Sequence, residues 1–343
     1  MTRALFSNAP LHENVPRRPV DMSTDLSGLL LPSPILTASG CAAAGRELDQ
    51  FFDITKLGAI VTKSVMLQPR SGRPTPRMAE TPSGMLNSIG LQGPGIEKFI
   101  EHDLAWLRER GARTIVSIAG STVDEYAKLA ARLRPVPGIA GIEVNISCPN
   151  VANRGLVFAC DVGSASDVVQ AVKRHSDPRM PILAKLSPDV TDIVSIANAV
   201  VRAGATGVSV INTLLGMVIN PDTMRPHLAG VTGGLSGPAI RPVAVRCVWQ
   251  IRQALPDLPI LGMGGIRSGM DALEFILAGA NAVSVGTAVF HDPGAPMRIH
   301  EELNVALAER GFDSLAEAVA FAHRPAAVEA SEPVDDDFDF ITE

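Results

Sequence analysis

The 343-residue chain lacks most features that would place it in a specialised class. It has no basic excess: 30 lysines and arginines stand against 36 acids, giving a formal net charge of −6, which excludes the clustered cations that nucleic-acid backbones require. It has only four cysteines, Cys41, Cys148, Cys160 and Cys247. None forms a C-x-x-C pair, so the sequence encodes no disulfide framework, iron–sulfur cluster or structural zinc site. The seven histidines, His12, His102, His175, His227, His291, His300 and His323, never fall at metal-ligand spacing. No apolar run reaches the ~18 residues of a membrane span. Arg17-Arg18 is followed by Asp21 and Asp25, where a twin-arginine leader would turn apolar. These absences lead us to expect a reduced, cytoplasmic protein without nucleic-acid or membrane partners.

What is present is ample core material, with 46% hydrophobic and 19% charged residues. The acidity is local. Residues 325–343 hold seven acids and no lysine or arginine, whereas residues 22–324 are formally neutral. We therefore expect a mobile extension over 1–21, one domain over 22–324 and a disordered acidic tail over 325–343.

Eight short, β-branched runs read as strands: Pro34–Thr37, Ala59–Lys63, Thr114–Ile118, Gly141–Ile146, Ile182–Leu186, Gly207–Ile211, Ile260–Met263 and Ala282–Val285. Amphipathic helical stretches lie between most of them, at Ile96–Arg110, Val123–Leu133, Ser166–His175, Asp192–Gly204, Ala239–Leu255 and Gly269–Ala278. Strands alternating with helices imply parallel pairing and right-handed crossovers. Ala203–Val210 and Ala278–Val285 also share the pattern A-G-A-x-x-V-S-V, a helix end, glycine cap and strand used twice. The expected fold class is α/β, a single-domain (β/α)₈ TIM barrel. A doubly wound open sheet is the competitor, but no G-x-G-x-x-G follows the first strand. The stretch 65–84, with Pro69, Gly72, Pro74 and Pro76, is too long for a plain connection and predicts a loop excursion after strand two.

Barrel chemistry gathers at the C-terminal strand ends. Lys63 and Lys185 lie at such ends, and a buried ammonium needs either an anionic ligand or a carboxylate from a neighbouring strand. Gly264-Gly265 after strand seven and Gly286-Thr287 after strand eight stand where barrels bind phosphate through bare backbone N–H groups. Cys148, flanked by Asn145 and Asn150, is placed over the barrel mouth, where a thiol can act as general base for a carbon acid.

These residues carry a family resemblance. Asn145-Ile-Ser-Cys-Pro-Asn150, Thr62-Lys-Ser64, Asn87-Ser-Ile-Gly-Leu91, Gly233-Gly-Leu-Ser-Gly-Pro-Ala-Ile-Arg-Pro242, Gly262-Met-Gly-Gly-Ile266 and Val285-Gly-Thr287 together resemble dihydroorotate dehydrogenase. The resemblance implies an FMN-containing barrel that oxidises dihydroorotate to orotate in pyrimidine synthesis. It casts Cys148 as the base that takes the C5 proton while hydride leaves C6 for flavin N5. Lys63, Asn87, Ser88, Ile89, Gly90, Leu91, Asn145, Asn212 and Thr213 are then expected to bind substrate. Ser39, Lys63, Ser64, Ser117, Asn145, Lys185, Ile211, Gly237, Gly264, Gly265, Gly286 and Thr287 are expected to bind FMN. Ser117 departs from the asparagine usual there.

Cysteine rather than serine at the base position resembles the soluble class. Gly233–Pro242 and Asn212–Met217 resemble its NAD-dependent subclass more than the fumarate-using homodimer. That implies an electron-transfer partner carrying FAD and a [2Fe–2S] cluster. The alternatives are the fumarate enzyme, a related dihydropyrimidine-oxidising flavin barrel, and a non-catalytic phosphate-binding scaffold.

Overall fold

The computed structural model describes residues 19–147 and 158–325. The expectations for Cys148, for the extension up to residue 18 and for the tail from 326 lie outside the described residues. Val20 and Asp21 belong with the barrel rather than with an extension. Val20 is buried, and Asp21 exchanges backbone bonds with Asp313 and Leu315 at 3.0 and 2.8 Å.

Eight strands pair in parallel: β1 Ile35–Thr37, β2 Ile60–Val61, β3 Thr114–Ile118, β4 Gly141–Asn145, β5 Ile182–Leu186, β6 Gly207–Val210, β7 Ile260–Met263 and β8 Ala282–Val285. The ladder runs β1-β8-β7-β6-β5-β4-β3-β2, and β2 returns to β1. That seam is held by Gly58 N–H to Ile35 O at 2.9 Å, and the Thr37 hydroxyl meets both the N–H and C=O of Val61. Closure removes both sheet edges. All eight strands fall within a residue or two of the positions expected from sequence, as do five of the six helical stretches; the helix expected at Ser166–His175 begins four residues earlier, at Val162, capped by Asp161.

Side-chain alternation divides the strands into two faces. Val116, Ile118, Ile142, Val144, Ala184, Leu186, Val208 and Val210 pack outward into the layer of helices, forming the main core. Inward, Leu36, Val61, Ile115, Leu183, Leu261 and Ala282 fill the lower barrel together with Leu26 and Leu31. Those two leucines come from a hairpin, Thr24–Leu26 with Leu29–Leu31, that closes the N-terminal end. The A-G-A repeat is one device used twice. Gly204 and Gly279 take φ of 110° and 116°, and each helix end is closed by the same pair of bonds, Gly204 and Ala205 to Val201 and Val200, Gly279 and Ala280 to Ile276 and Phe275.

The chain leaves the barrel twice at its C-terminal end. After β2 it forms the hairpin Met78–Thr81 and Gly84–Asn87, and after β6 the strands Leu214–Gly216 and Gly233–Ser236. These four make one antiparallel sheet standing over the barrel mouth. No described helix is long and apolar enough to cross a membrane.

Candidate active site

Two adjoining cavities of about 630 and 390 Å³ open at the C-terminal strand ends beneath that small sheet. Both volumes suit a small-molecule ligand. The larger is lined by Ser39, Lys185, Ile211, Asn212, Thr213, Gly237, Gly264, Gly265, Gly286 and Thr287. The smaller is lined by Ser39, Lys63, Ser64, Asn87, Ile89, Gly90, Leu91, Asn145, Asn212, Thr213 and Thr287. Of the described residues singled out from sequence, Ser88 and Ser117 line neither. Ser88 is buried and its hydroxyl accepts from Arg73 at 3.3 Å. Ser117 is buried one layer below the cavity floor, between Ser64 and Glu143.

That floor is a continuous polar network. Ser64 and Ser117 share a hydroxyl–hydroxyl bond of 2.9 Å, and Ser117 donates to Glu143 Oε1 at 3.0 Å. Asn145 Nδ2 donates to Ser64 at 2.9 Å, Asn212 Nδ2 donates to Asn145 Oδ1 at 3.2 Å, and Thr213 N–H donates to Asn212 Oδ1 at 2.8 Å. Lys185 Nζ donates to the Ser39 hydroxyl at 2.9 Å and lies 3.6 Å from Glu143 Oε1. Lys185 therefore has the carboxylate partner on the adjacent strand that a buried ammonium needs, and it also lines the larger cavity. The register explains the pairing, because Ser117 sits opposite Glu143 and Asn145 opposite Lys185.

The glycines are required by geometry. Gly264 and Gly265 have φ of 132° and 81°, and a Cβ on Gly265 would lie 2.7 Å from Gly237 O. Their backbone can therefore approach a ligand where no side chain fits. Thr287 Oγ1 donates to Ser236 Oγ at 2.8 Å, tying β8's end to the overlying sheet.

Sequence reasoning missed Glu143, Ser236 and Cys41. Glu143 alternates with Asn145 on one strand face, but its partners Ser117 and Lys185 come from neighbouring strands and are set by register. Cys41 lines both cavities; burial pushes its thiol up, while Lys185 and Lys63 act in the opposite sense.

A family model described as dihydroorotate dehydrogenase matches residues 21–307. The chain belongs to the dihydroorotate dehydrogenase family. Relatives named dihydroorotate dehydrogenase B (NAD(+)), catalytic subunit, resemble it over most of their length. That of Desulforudis audaxviator (strain MP104C) is 51% identical over 305 residues, 89% of this chain and 98% of the relative. Those of Geobacter sp. (strain M21) and Trichlorobacter lovleyi are 50% and 51% identical, each over 87% of this chain and 97% of the relative. Dihydroorotate dehydrogenases are flavin-dependent, and this mouth joins a buried cation, a glycine cradle and paired amides.

Proposed function

We propose that this chain is the catalytic subunit of an NAD-type dihydroorotate dehydrogenase, a cytoplasmic enzyme that oxidises dihydroorotate to orotate with FMN. The observation that carries the reading is the convergence of Lys63, Lys185, Asn87, Asn145 and Asn212 on two connected cavities above a polar floor.

The residues fit FMN. Ser39, Lys185, Gly264, Gly265, Gly286 and Thr287 would hold it in the larger cavity, the bare backbone of the glycine turns meeting the phosphate and Lys185 meeting negative charge on the ring. Bound there, FMN supplies the acceptor for the C6 hydride. Lys63, Asn87 and the backbone of Ile89 to Leu91 would take the substrate's carboxylate and amide edges in the smaller cavity. Asn145, in the smaller cavity, and Asn212, which lines both, would orient the substrate with neutral amides, which bind a planar imide without adding charge. Cys148, by its family position, takes the proton from C5 as its thiolate and becomes the neutral thiol, a step open to it because that proton lies beside a carbonyl.

The sequence carries no C-x-x-C pair and no dinucleotide fingerprint for passing electrons to NAD; an electron-transfer subunit with FAD and a [2Fe–2S] centre supplies that function. The test is anaerobic. Dihydroorotate should bleach the yellow of the purified, FMN-loaded chain, and Cys148→Ala should keep its FMN yet lose the bleaching at neutral pH. NAD reduction should appear only when the partner is added. A chain that bleaches with dihydrouracil alone, or one that reduces fumarate efficiently unaided, would overturn the assignment.

A further inference from the structure

Glu143 is fully buried on β4, carries no role in the reading above, and gives one carboxylate oxygen, Oε1, to both Ser117 and Lys185. The other oxygen, Oε2, is buried without a hydrogen-bond partner among the described residues. Leaving a buried carboxylate oxygen unsatisfied is costly, and such costs persist where a site needs the group.

The direction of every bond in the network can be fixed from its ends. The N–H of Thr213 can only donate, so the Asn212 atom it meets is the amide oxygen. The Asn212 nitrogen therefore donates to Asn145 Oδ1 and to Ser147 Oγ, at 3.2 and 2.7 Å. Asn145 then turns its own nitrogen toward Ser64. From the other end, the Glu143 carboxylate can only accept from Ser117, which has one hydrogen to give. Ser117 must therefore accept from Ser64, whose hydrogen is free for it because Ser64 accepts from Asn145. The chain runs in one direction, Thr213 to Asn212 to Asn145 to Ser64 to Ser117 to Glu143, and both ends demand the same polarity.

We propose that Glu143 is a positioning residue that, through Ser117 and Ser64, fixes which way the amides of Asn145 and Asn212 face in the substrate cavity. This rests on the dihydroorotate reading. The consequence is a defined hydrogen-bond pattern: Asn145 Oδ1 is taken by Asn212 and Ser147, and Asn145 keeps one Nδ2 hydrogen for a ligand acceptor. Glu143 has a second effect on the same holoenzyme, since it is the counter-charge of Lys185.

Orotate titration of the FMN-loaded protein, read as the perturbation of the flavin's visible spectrum, tests this. Ser117→Ala and Glu143→Leu should each keep FMN and each bind orotate about ten-fold more weakly, the size of one buried hydrogen bond. Because they interrupt one chain, the double variant should be no weaker than the weaker single variant. Glu143→Leu alone should also raise the flavin midpoint potential, as Lys185 is left without its counter-charge, whereas Ser117→Ala should not. Ser117→Ala carries the test alone if Glu143→Leu does not fold. Single variants within two-fold of wild type, or losses that multiply in the double variant, would overturn the proposal. A wild-type protein that binds FMN but never responds to orotate would instead overturn the substrate assignment.

Discussion

At the scale of single residues, the site is shaped as much by atoms that are missing as by those present. Gly234, on the strand Gly233–Ser236, lies against Thr213: a Cβ there would sit 2.0 Å from Thr213 Oγ1 and 2.7 Å from its Cβ. The whole Thr213 side chain would have to move, and Thr213 N–H is the bond that anchors Asn212. Gly234→Ala is therefore expected to raise the KM for dihydroorotate about ten-fold, with FMN content unchanged, since the added Cβ meets Thr213 and neither Lys185 nor the glycine turns. Steady-state kinetics alongside flavin absorbance checks this; loss of FMN together with activity would show that the strand supports the whole mouth rather than the substrate side alone. The same scale shows why parts of the site were legible. Lys63, Lys185 and the asparagines were visible because polar residues ending apolar strands have few structural uses. Glu143 was not, because one acid in Gly141–Asn145 acquires meaning only when strand register sets it against Ser117 and brings it within reach of Lys185. Ser88 was misplaced for the same reason: within Asn87–Leu91, sequence does not say which side chain turns away from the cavity.

At the scale of elements, the barrel strands and helices were readable because parallel strands buried on both faces become near-continuous apolar runs, and the helices between them carry a single stripe. The small sheet over the mouth was not readable. Its strands are three or four residues long, with exposed Leu215 and Met78, and beyond the hairpin Met78–Asn87 they pair across distant excursions with no turn signal linking them. The helix Ile193–Arg202 shows how local chemistry sets an element's boundary. Asp192 accepts from Val194 N–H at 3.0 Å and Ser195 N–H at 3.2 Å, and also from the Ser195 hydroxyl. The side-chain bond from Ser195, then its backbone bond, hold the Asp192 carboxyl below the ordinary carboxylate range. A carboxyl whose pKa is lowered by folding stabilises the fold above its unfolded pKa, near 4, and loses that contribution as pH falls through the folded value. Asp192→Ala should therefore melt below wild type at pH 7, and the gap should narrow steadily below about pH 4. A gap that stayed constant from pH 7 to pH 3 would mean that the cap acts through shape rather than charge.

At the scale of the whole molecule, charge is divided between a neutral barrel and an acidic end. Cations that matter to the chemistry, Lys63 and Lys185, are held at the mouth, and Lys185 is already balanced by Glu143. The acids of residues 326–343 lie far along the chain from any strand that lines a cavity, and nothing in the network of Glu143, Ser117, Ser64, Asn145 and Asn212 draws on them. Truncation after residue 325 removes seven acids and no bases, which moves the formal net charge from −6 to +1. Net charge governs solubility and association rather than fold. The truncated chain should thus keep its FMN content and its rate of flavin reduction by dihydroorotate. Its solubility minimum should move from near the full chain's isoelectric point, about 5.7, to neutral pH or above. Solubility measured against pH, together with anaerobic bleaching of the two proteins, checks both halves. If the truncated protein lost flavin reduction while staying soluble, the acidic segment would have to act on the barrel mouth itself, and the separation of charge from chemistry argued here would fail.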